Sequence, residues 1–381
     1  MIYFDNGATS YPKPPQVIDA VMAALSAPAS PGRSGHAASL NASRSIHKAR
    51  KHLAELFGLK DNSRLCFGPN VTWALNAALS GFGLKKGDHV LSGSLEHNST
   101  ARPLLRLKNE LGLDWEIVPA SNGRLLPLEF KKRLTSKTRL AVLNHASNVT
   151  GALAPAREIK EALGEVPLLL DAAQTAGSVV LDDAGDWVDL LAFTGHKGLL
   201  GPTGTGGLWI RPGLDLRPPA VGGSGSLSES LTHPDFLPDA MEAGTLNTHG
   251  LAGLAAGAEF ILKKGVKSIR AHELELTKLF LDGCLRMPGL TLYGPGPEAE
   301  DRVAVVSLNL SGWSCSDLAA ALERDHGILT RAGLHCAPLT HQQVGTYPGG
   351  SVRFSFGPFN AREEILTGVD ALAELAAQKR R

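Results

Sequence analysis

The chain has 381 residues, with 38 lysines and arginines against 37 aspartates and glutamates, a formal charge of +1 and 43% hydrophobic content. That balance gives no electrostatic reason to expect nucleic acid or a membrane surface as partner. The length exceeds what one hydrophobic core usually holds, so two domains are expected.

The opening "MIYFDNGATSYPKP" lacks the basic start and apolar core of a signal peptide. No later apolar stretch reaches the length of a membrane span, so the expectation is a cytoplasmic protein. The first ~60 residues read as mostly helical, with "NASRSIHKARKHLAELFG" carrying apolar residues at helical spacing. From there to about 210, seven apolar runs alternate with helical patterns: "RLCF", "DHVLSG", "DWEIVP", "TRLAVLNH", "VPLLLD", "VDLLAF" and "GGLWI". Strand–helix alternation predicts a mainly parallel sheet with helices on both faces. The segment 214–240 is rich in Gly, Ser and Pro and reads as a long loop, a kind of segment that is often functional; the sequence alone does not decide whether it closes over a site. Two helices follow, then a second alternation of strands and helices in a smaller α+β domain. The expected division is 15–250 for the large domain, and 1–14 with 251–381 for the small one. The final "KRR" reads as a solvated tail.

Four places could carry chemistry. Lys197 stands in "FTGHKGLLGPTGTGG", where glycines allow a ligand to approach closely. Asp171 ends the buried run "VPLLLD", and in an open α/β sheet a strand's carboxyl end faces the ligand crevice. Thr72 lies where "FGPNVTWALN" turns from strand to helix, a setting that suits a phosphate. His97, in "SLEHNST", follows another strand end, where a ring could stack on an aromatic ligand. Each also has a structural reading: Lys197 in a turn, Asp171 and Thr72 as helix caps, His97 as a packed side chain. Together they match the needs of pyridoxal phosphate. Its aldehyde needs an amine, its ring nitrogen an acid, and its phosphate a helix start.

The four cysteines, Cys66, Cys284, Cys315 and Cys336, include no C-x-x-C pair and no zinc spacing. Cys66 in a strand and Cys284 in a helix read as small buried hydrophobes, and Cys315, before a helix start, as structural. Cys336 differs, since it follows His335 between Gly333 and Pro338 and lies between segments that carry Arg331 and Arg353. A thiolate near cations is the better nucleophile.

With these residues in place, the chain resembles the cysteine desulfurase family of the class V aminotransferase fold. The matching stretches run through nearly its whole length: "YFDNGATS", "TWALN", "EHNS", "HASNVTG", "DAAQTAG", "FTGHKGLLGPTGTGGLW", "EAGTLNTHG", "RAGLHCAPLTH" and "SVRFSFGPFNAREEI". It is similar to the branch whose R-x-G-x-H-C-A segment holds a nucleophilic cysteine. Asn70 and Trp73 stand where that family more often has Gly and Glu, and Thr194 where Ser is commoner.

The resemblance implies a fold-type-I, aspartate-aminotransferase-like enzyme with a mainly parallel seven-stranded sheet and pyridoxal 5'-phosphate as cofactor. Lys197 would bind the aldehyde. Asp171 would pair with the ring nitrogen and Gln174 with the phenolic oxygen. His97 would stack on the ring and shuttle protons. Val71, Thr72, Thr194 and His196 would surround the phosphate, and Thr245 would reach the phosphate of a neighbouring subunit in a homodimer. Asn148 would contact cofactor or substrate, and Arg353 and Arg331 the substrate carboxylate. Cys336 would take the sulfur of L-cysteine as a persulfide and pass it to an acceptor protein, as in iron–sulfur cluster assembly. Selenocysteine lyase, a class V aminotransferase on another amino acid, and a non-catalytic scaffold are the alternatives.

Overall fold

All seven apolar runs between 64 and 210 form strands, and all lie in one sheet. In the computed structural model, which describes residues 1–28, 31, 35–121 and 123–378, a short strand β1 (Ile2–Tyr3) precedes them. The basic tail at 379–381 lies outside the described residues. The seven are β2 (Leu65–Gly68), β3 (His89–Gly93), β4 (Asp114–Val118), β5 (Thr138–Asn144), β6 (Leu168–Asp171), β7 (Leu190–Thr194) and β8 (Gly206–Ile210).

Their order across the sheet is β2-β8-β7-β6-β5-β3-β4. The neighbours from β4 to β7 pair in parallel, and β8 runs antiparallel to both β7 and β2. Strands β6 and β7 are buried at every position, which is why they read as unbroken apolar runs rather than alternating ones. Side chains alternate across such a sheet. Leu168 and Leu170 therefore face one core with Phe57, Phe130 and Phe193, while Leu169 faces the other with Leu75, Val90 and Val142.

The connecting helices begin at polar caps. Asn70 accepts from the Trp73 amide at the start of the helix Val71–Gly81, and His97 accepts from the Ser99 amide at the start of Asn98–Leu111. Both starts stand beyond the carboxyl end of a strand, β2 and β3 respectively.

Five further strands follow: β9 (Leu290–Tyr293), β10 (Val305–Leu310), β11 (Ile328–Leu329), β12 (Arg331–Gly333) and β13 (Ser351–Ser355). Four of them form an antiparallel sheet in the order β12-β13-β10-β9, over a core that includes Phe4, Phe280, Val306, Leu308, Phe354 and Phe356. The chain's start docks here: β1 pairs in parallel with β11, and Asp5 bridges Ser355.

The division expected at residue 250 falls inside the helix Thr248–Lys264, which buries Leu251, Leu254, Ala255, Ala258 and Ile261 in the core of the large sheet. Small residues permit this approach, since a Cβ on Gly257 would lie 2.5 Å from the Leu199 carbonyl oxygen. The next helix, Val266–Cys284, serves both layers, with Ile269 in the large core and Leu276, Phe280, Leu281 and Cys284 in the small one. Residues 211–247 form turns and bends without helix or strand. Among the described residues no helix is long and apolar enough to cross a membrane, and no cluster of acidic, Cys and His side chains could hold a metal ion.

Candidate active site

The chemistry-bearing residues gather where the carboxyl ends of the central strands meet the small sheet. Asp171 closes β6 and Thr194 closes β7, three residues before Lys197. Asp171 is buried at 1% exposure. One of its oxygens accepts the Ala173 amide at 2.9 Å, and the other has no hydrogen bond among the described residues. Burial pushes this carboxyl up, while the Ala173 bond and the Lys197 charge pull it down.

Lys197 lies in the connection from β7 to β8. The Gly195 amide donates to Thr205, Leu200 to Lys197 and Gly201 back to Gly195, so the loop is tightly wound. The N-terminal segment braces it from outside. Ser10 donates its hydroxyl to the Lys197 carbonyl at 2.9 Å, and Lys13 its ammonium to the His196 carbonyl at 2.9 Å. The Lys197 amine is lowered to about 8, chiefly by desolvation, with Asp171 opposing and Arg353 and Arg331 assisting. It therefore reaches its uncharged, nucleophilic form near neutrality.

His97 caps its helix through Nδ1, which accepts the Ser99 amide at 3.0 Å. That bond leaves the neutral ring's proton on Nε2. Burial lowers the ring to about 3, helped by the charges of Lys197, Arg331, Arg353 and Arg102. These couplings put His97, Lys197 and both arginines in one field. His196 is likewise lowered to about 4, by burial and then by Lys197 and Lys13, and its Nδ1 is buried without a partner among the described residues.

On the facing side, Arg353 projects from β13 at 1% exposure. Its Nη2 donates to Asp5 at 2.7 Å and its Nη1 to the Asn148 carbonyl at 3.2 Å. Arg331, on β12, is paired with Arg353 in register and reaches to 3.9 Å from the Cys336 sulfur. Cys336 is exposed. Cys66 and Cys284 are buried, and burial raises both thiols far above the ordinary range. Cys315 is half-buried and directs its thiol to the Gly349 carbonyl at 3.1 Å.

The remaining predicted residues are placed as follows. Gln174 donates to the Gly7 carbonyl at 3.1 Å. Thr194 is buried beside the Thr205 carbonyl, Val71 is buried, and Thr72 is exposed on the first turn of its helix. Asn148 is buried, with Nδ2 donating to the His335 carbonyl and Oδ1 unpartnered. Thr245 is exposed and lines a separate cavity of about 270 Å³ with Trp73 and Met241, while Lys197 lines another.

Three residues inside the quoted motifs carry unassigned roles. Asp5 is the ion partner of Arg353. Glu96 is fully buried and accepts the Asn144 amide at 2.8 Å. Asn98 donates its amide to the Cys336 carbonyl at 2.7 Å. Their motifs were visible in the sequence, but the partners lie too far along the chain for spacing to reveal.

The aminotransferase class-V family matches residues 2–367. A probable cysteine desulfurase of Pyrococcus abyssi is 33% identical over all of this chain and 95% of its own. A cysteine desulfurase of Haloferax volcanii is 30% identical over 99% of this chain and 90% of its own. Among solved structures, the cysteine desulfurase of Thermococcus onnurineus NA1 superposes with a TM-score of 0.90 at 32% identity, covering 98% of this chain and 94% of that one. The buried amine beyond β7 and the carboxylate that ends β6 thus sit on a chain that belongs to the class-V aminotransferase family and, within it, to the cysteine desulfurases.

Proposed function

We propose that this chain uses pyridoxal 5'-phosphate to convert L-cysteine to L-alanine, with Cys336 taking the sulfur as a persulfide. The family implies the cofactor, and the residues present fit it. Lys197 offers an amine with no hydrogen-bond partner among the described residues, Asp171 a free carboxylate oxygen, and His196 and Asn148 buried polar atoms without partners. When bound, the cofactor supplies an electron sink for charge at the substrate's α-carbon.

The chain's own residues do the rest. Asp171 would pair with the ring nitrogen and keep it protonated: burial pushes its carboxyl up, while the Ala173 hydrogen bond and the Lys197 charge favour the carboxylate. Lys197 would hold the aldehyde and, as a free amine, could move the α-proton. His97, neutral at working pH, would stack on the ring with its Nε2 proton available for relay. Gln174 would face the phenolic oxygen. Val71, Thr72, Thr194 and His196 would hold the phosphate, with Thr245 reaching that of a second copy in a homodimer. Arg353, with Arg331 and Asn148, fixes the substrate carboxylate and so decides which bond at the α-carbon is activated. The Cys336 thiolate attacks the substrate sulfur. A sulfur–sulfur bond forms, the carbon–sulfur bond breaks with its electron pair left on the carbon fragment, and protonation of that fragment gives alanine. A thiol or an acceptor protein then removes the persulfide sulfur.

The observation that carries this reading is the shared field of Lys197, Asp171, His97, Arg331 and Arg353, groups drawn from both sheets. The test is the visible spectrum of the cofactor-loaded protein before and after L-cysteine, with alanine and sulfide measured. Wild type is expected to release both, and Cys336→Ala to keep its colour and lose sulfide formation. Sulfide release by Cys336→Ala would remove the thiol from the mechanism. Loss for L-cysteine with retention for selenocysteine would make the enzyme a selenocysteine lyase.

A further inference from the structure

The segment that presents Cys336 is bent into a conformation that L-residues avoid. His335 and Cys336 are consecutive and both left-handed, with φ of 49° and 57°. Such a pair persists only where its surroundings over-determine it. Here the carbonyls of both residues are captured by the large-sheet side. Asn148 Nδ2 donates to the His335 carbonyl at 2.8 Å, and the Asn98 amide donates to the Cys336 carbonyl at 2.7 Å. From the small sheet, the His335 ring lies 3.1 Å from the Ser351 carbonyl and is buried at 2% exposure. Ala337, on the other flank, is fully buried, so an exposed thiol stands between two anchored neighbours.

Asn148 lies in a hydrogen-bonded turn. The Ser147 hydroxyl accepts the amides of Val149 and Thr150, and Ser307 donates to the Val149 carbonyl at 2.6 Å. Its own carbonyl accepts Arg353 Nη1. One residue therefore holds the guanidinium that faces the substrate carboxylate and the backbone that carries the thiol.

We infer that Asn148 and Asn98 are positioning residues that clamp the Cys336 segment in its left-handed form, fixing the thiol relative to Arg353. This deepens the proposed function and rests on Cys336 being the sulfur acceptor. With the clamp closed, the thiol is aimed before substrate arrives, and turnover needs no movement of that segment. Asn148 then acts on the nucleophile's backbone, beyond any contact with cofactor or substrate.

Two variants test it in the cofactor-loaded enzyme. Asn148→Ala deletes the side-chain donor. Asn98→Pro removes the backbone N–H donor together with the carboxamide side chain, at the first helical position, where proline is well tolerated; the preceding His97, at φ −80° and ψ 159°, already has the extended backbone that proline demands. The primary readout is hydrogen exchange at the Ala337 amide, which bonds to the Leu334 carbonyl across the segment at 2.8 Å. Each variant is expected to speed that exchange about tenfold, the worth of one hydrogen bond. The kcat for L-cysteine should fall by a similar factor with the visible band unchanged. Unchanged exchange in both variants overturns the clamp, even if activity drops, because Asn148 would then act on the substrate directly. Faster exchange in an enzyme whose wild type forms no persulfide would keep the clamp and remove the proposed function. Should Asn148→Ala not fold, Asn98→Pro decides the matter alone.

Discussion

The amine and the thiol of this site are held in opposite ways. Lys197 hangs from adjacent strands of the large sheet, and desolvation brings its pKa down to about 8. Cys336 is exposed, lies outside any strand or helix, and is held in a left-handed backbone by hydrogen bonds from residues far away in sequence. The difference follows the chemistry proposed for each. An amine that must lose its charge gains from a dry setting. A thiol that must meet a sulfur atom and then surrender it needs access, together with cations that favour the thiolate. Order at the first pole is a by-product of the sheet. At the second it is built bond by bond.

The strongest way to break this comparison is to delete the amine. Lys197→Ala is expected to lower alanine release by about 10³-fold or more, the scale of a lost nucleophile and proton carrier. A loss of only a few fold would mean that the buried pole does not carry the chemistry.

A smaller effect is expected at the ion pair behind the thiol's side of the site. Asp5→Ala leaves the Arg353 guanidinium, at 1% exposure, without its counter-ion. The cost is put at roughly 3 kcal/mol, read from the midpoint of urea unfolding. An unchanged midpoint would show that the Asn148 carbonyl suffices to hold the arginine.

The smallest effect concerns the buried pole's second acid. Burial raises Glu96 to about 8, with the Asp171 charge adding to the rise and the Asn144 hydrogen bond opposing it. A carboxyl raised on folding contributes stability that is whole below its ordinary, unfolded range and is lost as pH climbs through its folded value. Between those limits the wild type is expected to lose stability more steeply than Glu96→Gln, by up to about 1.4 kcal/mol per pH unit. Glu273, also raised to about 8 by burial, keeps its own contribution in both proteins. Parallel slopes would show that Glu96 is ionised in the folded state.

What could be read from the sequence divides along the same line. All seven strands of the large sheet were legible, because strands covered on both faces leave continuous apolar runs. The place of Asp171 at the end of β6 was legible with them, since a strand end fixes where its last side chain lies, whereas Lys197 lies three residues past the end of β7 in a loop that gives no such signal. The helix Pro338–Gln343, of six residues, was missed because so short a segment gives no periodicity. The Asp5–Arg353 pair spans 348 positions, and only tertiary structure brings it together. Nothing in "RAGLHCA" announces two consecutive left-handed residues: His is enriched at positive φ among non-glycine residues, but such residues are uncommon even so, and Cys carries no such preference. Gln174 donates one of its two side-chain N–H groups to the Gly7 carbonyl, a bond across 167 positions that spacing does not reveal.

The reversed direction of β8 has a consequence for how the lysine can travel. Had the sheet stayed parallel there, the chain leaving β7 would have crossed a face before returning, with the amine at the mouth of a long excursion. Instead it doubles back, and Thr194 and Gly206 stand opposite each other as the two fixed feet of a short leash. The reach of Lys197 then comes from the four torsions of its own side chain. In the chemistry proposed for Lys197, letting go of an aldehyde and collecting a proton would be swings of a tethered arm above an undisturbed floor.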